Sequence, residues 1–392
     1  MKQKSICLFI FFSLIFGTFT SVQADTTNGI RQMTGNKSVF IVMKNGDLWA
    51  YGSNEYGQFG TGDTKNIETP QKIMENVKQV SAGQYIKAKW TYILKNDGSL
   101  WSTGYNSHGE LLDGTKKNSS IPVKIMDNCK QVTGQFILKD NGTVWNAKRI
   151  EDFADKDHEI NARYELVKEY DDVQKLMDRI YDGSRRPPII KKNGLVANDF
   201  FNDSKIISGR VKDAIVDDTS VDNRYKTAAY LREDGVCIVT ADYGYAYLTR
   251  KKVCELKNIA EIKACESYFE EDISSGSIAV LNNDGTLYSI TYDGKANKVA
   301  NGVQKIYHNN YYLTKDNTLF KWKANFQNDT EFKETLETKQ VASNVAFVDE
   351  KGFVLINFDG SICTLNYFWS EGICEKACQL PFVINEQDSV YQ

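Results

Sequence analysis

Short apolar runs recur along the chain, and a two-residue turn signal with a second apolar pair follows each of them. In the first copy, residues 40–43 precede Asn45-Gly46, and Leu48-Trp49 follows. The turn signals are Asn45-Gly46, Asp97-Gly98, Asn141-Gly142, Asn193-Gly194, Asp234-Gly235, Asp284-Gly285, Asp316-Asn317 and Asp359-Gly360. Apolar runs on both sides of an Asn-Gly or Asp-Gly pair predict β-hairpins. The pattern therefore predicts eight copies of one hairpin-containing unit.

Each unit has a second apolar element upstream of its hairpin, clearest at residues 77–83 and 129–134. We interpret it as the innermost strand of a sheet, and we expect type I′ turns with positive φ at both central residues of each hairpin. The units are 32 to 52 residues apart, and four-stranded propeller blades of about 40 to 50 residues have this period. The chain is predicted to be all-β, a β-propeller of seven to eight four-stranded blades.

Two stretches depart from the repeat. The fourth unit is the weakest, and Pro187-Pro188 near its hairpin disfavours a central strand. If that unit is a loop excursion, seven blades remain. A charged insertion near residues 151–180 lacks turn signals and spaces Leu166, Tyr170 and Val173 as a helix would. We expect a short helix or a decorated outer strand there, on the rim, in preference to a separate functional arm.

The best-preserved copy permits comparison with a known family. Residues 46–62 read GDLWAYGSNEYGQFGTG, which resembles the regulator-of-chromosome-condensation repeat. Residues 98–114 resemble it less fully, with Glu110 where Gln58 stands and Leu112 where Gly60 stands. The chain is similar to a bacterial, secreted, alpha-tubulin-suppressor-like member of the family. The resemblance implies a closed propeller, usually of seven blades.

The N-terminus predicts export. Lys2 and Lys4 precede an apolar run over residues 6–16, and residues 21–24 provide a small-residue cleavage site. We expect residues 1–24 to be a signal peptide and residues 25–392 to be a single β-propeller domain. A retained membrane anchor is the alternative, but polar and small residues interrupt the stretch from Gly17 onward. The expected product is secreted or extracytoplasmic, either free or associated with the cell surface, and has no stable membrane insertion after cleavage.

The formal net charge is −3, and no basic stripe is visible along the chain. Phosphate binding needs clustered lysines and arginines, so nucleic acid is not the expected partner. We expect a monomer that binds another protein.

No catalytic constellation is recognisable. The three histidines, His108, His158 and His308, lie in different units and outside any metal-binding or triad motif. Several acids, such as Asp97 and Asp284, belong to turns, and their backbone role explains them. We therefore assign no catalytic, cofactor-binding or metal-binding residue, and we expect no cofactor.

Seven cysteines follow residue 24, so at least one thiol stays free. Cys129 occupies the place of Val77 in the neighbouring repeat, and we interpret it as a buried apolar substitute. Two local disulfides are possible in an oxidising compartment, Cys237 with Cys254 and Cys363 with Cys374. The spacing of the cysteines leaves the pairing open.

The aromatic side chains could serve either core packing or the recognition of a ligand or partner. The matched positions of Trp49, Trp101 and Trp145 favour repeated packing between blades over a ligand cage. The tyrosines at 243, 245 and 247 alternate as on one face of a strand and suit either the core or a contact surface. The candidate interaction residues are Tyr105, His108, Tyr243, Tyr245 and Tyr247.

These features favour a protein-binding scaffold that acts through loops on one propeller face, and not an enzyme. Exported bacterial members of the resembling family include an inhibitor of β-lactamase, which implies that protein binding suits the fold. One alternative is a propeller enzyme, a lyase or hydrolase of polysaccharide or peptide, with acids or histidines converging at the mouth of the central channel. A carbohydrate-binding module with exposed aromatic side chains is the other alternative.

Overall fold

The structure is a computed structural model. It describes residues 29–35, 37–82, 89–153, 160–177, 189–197, 208–217, 225–243, 251–265, 277–291, 293–308, 310–325, 335–349, 354–365, 374–380 and 384. The predicted signal peptide, residues 1–24, lies outside this part of the chain. Within the described residues, no helical segment has the length and apolarity that a membrane span requires.

The described chain folds into eight antiparallel sheets, numbered in chain order, whose strands follow one another without crossovers. Sheet 1 contains β1 (Ile30–Gly35), β2 (Ser38–Met43), β3 (Leu48–Gly52) and β4 (Ile67–Met74). Sheet 2 contains β5 (Val77–Ala82), β6 (Trp90–Lys95), β7 (Leu100–Gly104) and β8 (Ser119–Met126). Sheet 3 contains β9 (Cys129–Thr133), β10 (Phe136–Lys139), β11 (Val144–Phe153) and β12 (Ile160–Tyr170). Sheet 4 contains β13 (Val173–Leu176), β14 (Ile189–Lys191) and β15 (Val196–Ala197).

The second half of the chain repeats the same arrangement. Sheet 5 contains β16 (Val211–Asp217), β17 (Tyr225–Arg232), β18 (Cys237–Tyr243) and β19 (Lys251–Leu256). Sheet 6 contains β20 (Ile259–Cys265), β21 (Ser277–Asn282), β22 (Leu287–Ile290) and β23 (Ala296–Ala300). Sheet 7 contains β24 (Val303–Tyr307), β25 (Tyr311–Thr314), β26 (Leu319–Asn325) and β27 (Thr335–Ala342). Sheet 8 contains β28 (Val345–Val348), β29 (Val354–Asn357), β30 (Ser361–Leu365) and β31 (Cys374–Gln379).

Each sheet is a blade whose apolar side chains are buried against its neighbours. One core cluster joins Val80 and Ile93 of sheet 2 to sheet 1, and the same cluster joins Ile30 of sheet 1 to Phe347 and Ile356 of sheet 8. Each of the remaining pairs of successive sheets, from sheets 2 and 3 to sheets 7 and 8, also shares a core cluster. Because the last sheet packs on the first, the sheets close a ring. The predicted β-propeller is confirmed, and the described residues form eight blades.

Short backbone bonds fix the step from one blade to the next. The first residue of each new inner strand donates its N–H to the carbonyl at the tip of the preceding hairpin, as Val77 N does to Gly46 O at 2.8 Å. The residue before it has positive φ in several copies, among them Asn76 at 62° and Asn128 at 61°. Asparagine tolerates this left-handed conformation better than most residues. The repeated asparagine therefore sets the sharp return of the chain into the next blade.

The hairpins are real, but the predicted type I′ turns are wrong. Gly46 has φ of 93°, whereas Asn45 is not among the described residues with positive φ. Gly46 N donates to Met43 O at 3.0 Å and Met43 N to Asp47 O at 2.8 Å, which is a type I turn followed by a bulged glycine. The Asn45 side chain accepts the Asp47 N–H at 2.9 Å. Asn-Gly satisfies both turn types, so the dipeptide alone does not choose between them.

Glutamine side chains link inner strands that do not pair through their backbones. Gln32 Nε2 donates to Val80 O and accepts from Val80 N, both at 2.9 Å. Gln131 makes the same two bonds with Leu176, at 2.9 and 3.0 Å. Gln79 accepts an N–H of sheet 3 at 3.0 Å. Because a primary amide mimics a peptide group, these side chains continue the hydrogen bonding across three blade boundaries.

The two departures from the repeat are ordinary parts of the ring. The fourth unit forms sheet 4, which shows three strands among its described residues. In the charged insertion, the helical alternative is wrong for residues 160–170, because they form β12 and pair with β11 from Val144 to Phe153. Leu166 packs on the core between sheets 2 and 3, so its apolar spacing reflects one buried strand face. The extent of the predicted domain, residues 25–392, stays a prediction.

The cysteines and tryptophans mostly behave as apolar side chains. Cys129 is free and 2% exposed, and burial raises its pKa to about 11, which confirms the predicted apolar substitution. Trp49 and Trp101 pack against the core that sheet 1 shares with its neighbours, and Trp145 packs on the core between sheets 2 and 3. The predicted packing between blades therefore describes these tryptophans.

The two possible disulfides have different outcomes. Cys237 and Cys254 are both free, so pairing between them is wrong. Cys254 lies opposite Val239 and is thus the diagonal neighbour of Cys237, at about 7 to 8 Å between Cα atoms, which exceeds the usual range of a disulfide. Cys363 is disulfide-bonded, and its pairing with Cys374 stays a prediction.

Candidate functional site

The two ends of the ring differ in the connections that they carry. Second and third strands are joined by tight hairpins, and the connections between blades, such as Glu75-Asn76, lie at this same end. The other end carries the connections between first and second strands and between third and fourth strands, including residues 53–66 and 105–118. We call these the turn end and the loop end. Because these connections are longer than the hairpins, more of the exposed side chains that could contact a partner lie at the loop end.

A buried asparagine holds the connection over residues 53–66. Asn54 is fully buried; its Oδ1 accepts the Phe59 N–H at 2.9 Å, and its Nδ2 donates to Asp63 O at 3.1 Å. Gln58 is also buried and donates to Ser53 O at 2.9 Å. Each amide replaces backbone partners that a strand would have supplied. The asparagine and glutamine of the repeat are therefore scaffold residues that shape the loop.

A buried asparagine also holds the connection over residues 105–118, and it forms more hydrogen bonds than Asn54 does. Asn106 is fully buried; it accepts the Leu111 N–H at 2.8 Å and donates to Lys117 O at 3.0 Å and to Thr115 O at 3.2 Å. Its Nδ2 also donates to Asp113 Oδ1 at 3.1 Å. The pKa of Asp113 falls below its usual value, because hydrogen bonds from Thr115 and Asn106 outweigh the opposing effect of burial. The loop is thereby closed around one side chain.

Neighbouring loops are locked together. Thr103 Oγ1 donates to Gly57 O at 2.8 Å, and Gly62 N donates to Ser120 O at 2.8 Å. On the other side, Tyr164 N of β12 donates to His108 O at 2.8 Å. Loops of sheets 1 and 2 and the outer strand of sheet 3 therefore form one continuous surface at the loop end.

Four half-buried side chains meet on this surface, and we call them the loop-end cluster: Tyr56, Lys89, Tyr105 and His108. The rings of Tyr56 and Tyr105 are edge to face, with centroids 5.3 Å apart. Lys89 Nζ lies 5.3 Å from the Tyr56 centroid and 4.9 Å from that of Tyr105. The His108 ring is 6.4 Å from that of Tyr105. A cation between two tyrosine faces is attracted by both rings.

Buried Glu110 orients His108. The Glu110 side chain is 4% exposed, whereas that of His108 is 38% exposed. Glu110 Oε2 accepts the His108 N–H at 2.8 Å, and Oε1 lies 3.1 Å from Nδ1 of the same ring. Ser107 Oγ is 2.9 Å from this Nδ1 as well. Because serine and glutamate face the same ring nitrogen, this arrangement differs from a catalytic triad, in which the two partners bind opposite nitrogens.

The inner strands bear on the enzyme alternative. The amides of Gln32, Gln79 and Gln131 are committed to neighbouring backbones. Further round the ring, Lys175 Nζ lies 3.9 Å from an oxygen of Asp213, and Lys263 pairs with Glu261 at 3.7 Å. Within the described residues, no group of three or more His, Cys, Asp or Glu side chains is placed to hold a metal ion. These positions form amide links and ion pairs.

The structure brings two of the five predicted site residues together, Tyr105 and His108. The side chain of Tyr243 and all of Tyr245 and Tyr247 lie outside the described residues, and their role stays a prediction. Sequence reasoning missed Tyr56 and Lys89. Tyr56 could have been identified from the sequence, because it occupies the position in its repeat that His108 occupies in the next one.

Eight antiparallel sheets closed into a ring, with glycine-rich loops held by buried asparagines, define a β-propeller built from degenerate repeats. Residues 45–87 match the family model described as the regulator of chromosome condensation (RCC1) repeat. The chain therefore contains at least one repeat that is similar to the RCC1 repeat.

Two curated relatives are each similar over about a quarter of the chain. Human "Protein RCC2" is 33% identical over 94 residues, which are 24% of this chain and 18% of that protein. The "Ultraviolet-B receptor UVR8" of Arabidopsis thaliana is 31% identical over 114 residues, 27% of this chain and 25% of the receptor. The chain thus spans a quarter or less of the length of these relatives. The solved structure of Prp20p from Saccharomyces cerevisiae has a TM-score of 0.41 and 12% identity, covering 89% of this chain and 86% of that chain.

Proposed function

We propose that the chain is a secreted or cell-surface scaffold that binds another protein through the loop end of the ring. The observation that carries the proposal is the loop-end cluster, whose aromatic side chains are held half-exposed on a rigid base. Tyrosines anchored in this way provide contact area at little cost in conformational entropy and are enriched at the centres of protein interfaces. The chain acts as a monomer in this proposal.

Two further features support the loop end as the binding surface. The repeat fixes the loops through Asn54 and Asn106, so the surface is preorganised and little ordering is needed on binding. Ile121 of β8, next to the Ser120 that contacts the neighbouring loop, is 64% exposed. The cluster and this rim residue together have the composition of an interface.

The arrangement disfavours the sugar-binding alternative. Pyranose rings need a flat, open aromatic face, but Tyr56 and Tyr105 stand at 80° to each other. Lys89 Nζ also occupies a position over a face of both rings. A protein surface of mixed polarity matches this geometry better than a sugar ring.

Affinity capture with matched variants tests the proposal. The full chain is immobilised and incubated with secreted and surface fractions of the organism that produces it, and captured proteins are quantified. We expect Tyr56→Ala with Tyr105→Ala to reduce capture of the main partner at least tenfold, because interface tyrosines each contribute about 1 to 2 kcal/mol or more. Lys95→Ala is the control. Lys95 lies at the turn end of β6, where its Nζ is 5.0 Å from the centroid of the Trp101 ring. The variant should leave capture unchanged.

Three results would count against the proposal: capture of no protein, equal capture by the double variant, or loss of capture on Lys95→Ala. A glycan array run in parallel distinguishes the sugar-binding alternative, which predicts a signal that the double variant removes. Thermal unfolding of each variant verifies that the ring is intact.

A further inference from the structure

Lys89 differs from Lys72 and Lys124 in the kind of group that its ammonium contacts. Lys72 lies 2.9 Å from an oxygen of Asp47 and Lys124 2.8 Å from one of Asp127. Lys89 forms no ion pair among the described residues, and its recorded contacts are the rings of Tyr56 and Tyr105. The ammonium is therefore held in place by aromatic faces, and the described part of the chain supplies no counter-ion for its charge.

Two polar side chains lie beside the Tyr105 ring that Lys89 contacts. The hydroxyl of Ser107 donates to that of Tyr105, and the imidazole of His108 lies beside the tyrosine ring. The nearby carboxylate, Glu110, is buried beneath His108 and is occupied by the His108 backbone N–H and ring. The exposed side of the cluster thus presents an ammonium, hydroxyls and an imidazole and lacks a competing carboxylate among these residues.

We propose that Lys89 receives a carboxylate from an acidic side chain of the protein partner, an aspartate or glutamate on an exposed loop. This inference rests on the proposed function and specifies the partner's chemistry. An incoming carboxylate would pair with an ammonium that is half-buried and already oriented, so little side-chain entropy is lost. Charge-assisted hydrogen bonds of this kind are stronger than neutral ones. Specificity then comes from charge, and contact area comes from the tyrosines.

A peptide-display selection on the immobilised full chain tests the inference, with a library of random 12-residue peptides as the probe. We expect enriched peptides to share one required Asp or Glu, and replacement of that residue by Asn or Gln to weaken binding. Lys89→Met should weaken the same peptides about ten- to a hundredfold, because a hydrogen bond to a charged group contributes about 1.5 to 3 kcal/mol. Lys89→Arg should retain binding within about threefold, since it keeps the charge. Lys95→Met is the matched control and should have no effect.

The outcomes separate this inference from the proposed function. One outcome is that the selected peptides lose binding on Tyr105→Ala but need no acidic residue. This result would overturn the proposed carboxylate contact and leave the protein-binding surface in place. Peptides that are indifferent to both Lys89→Met and Tyr105→Ala, or no enrichment at all, would overturn both. Ionic strength gives a second reading: binding to the wild type should weaken as salt rises, and the residual binding of Lys89→Met should not.

Discussion

Gly104→Ala is expected to lower the free energy of unfolding by about 4 kcal/mol, a large loss for a single substitution. Gly104 ends β7 with φ of +112°, and an added Cβ would lie 2.4 Å from Lys89 O and 2.8 Å from Trp90 Cα. Both are backbone atoms, so a rotamer change cannot relieve the clash. The strand and Lys89 must move apart, and the bond from Tyr105 N to Lys89 O, now 2.8 Å, is broken.

Gly114→Ala is the matched control, because it separates steric clash from backbone strain. Gly114 lies in the same loop with φ of +79°, but nothing lies within 4 Å of its added Cβ. Only the left-handed conformation is penalised, at about 1 to 2 kcal/mol. Urea unfolding of both variants measures the difference. Equal losses for the two would show that β7 does not approach Lys89 as closely as described.

Asn106→Ala is expected to cost about 3 kcal/mol, because it removes a buried amide and leaves the Leu111 N–H without its acceptor. The hydrogen-bond partners of this side chain all lie within residues 111–117, so the loop loses its internal support. The loop-end cluster should be disturbed as a consequence, and capture of the partner should fall together with stability.

Asn141→Ala is the control for this prediction. Asn141 stands in an exposed hairpin and accepts from Thr143 N at 3.0 Å, so its loss is expected to cost under about 1 kcal/mol. Urea unfolding followed by tryptophan fluorescence measures both variants. An Asn106→Ala protein as stable as the Asn141→Ala protein would contradict the role given to the buried amide.

Much of the fold could be predicted because the hairpins are local. The glycine of each turn and the alternation of apolar residues lie within a few positions of each other, so the strands and their repetition are visible in sequence. The predicted turn type was wrong, because Asn45-Gly46 fits two turns that differ in the φ of Asn45 and in the length of the loop. Spacing also gave a helical alternative for residues 160–170, where a bulged strand buries Leu166.

The site was only partly predictable, because it is assembled between blades. His108 and Tyr105 lie in a recognisable loop, and the change from Gln58 to Glu110 marks that loop as different from its neighbour. Lys89 follows an inner strand outside the repeat signature, and nothing in its local sequence places it over two tyrosine rings. Such a contact depends on the packing of sheet 1 against sheet 2. Repeat comparison therefore finds the scaffold, whereas the contacts between repeats define the surface.

Hydrogen–deuterium exchange of the full chain, with and without the captured partner, tests the central claim most directly. The proposed loop-end interface predicts slower exchange on binding for amides of residues 54–57 and 105–110. It predicts unchanged exchange at the turn end, in residues 44–47 and 96–99. Protection at the turn end with none in the two loops would contradict it.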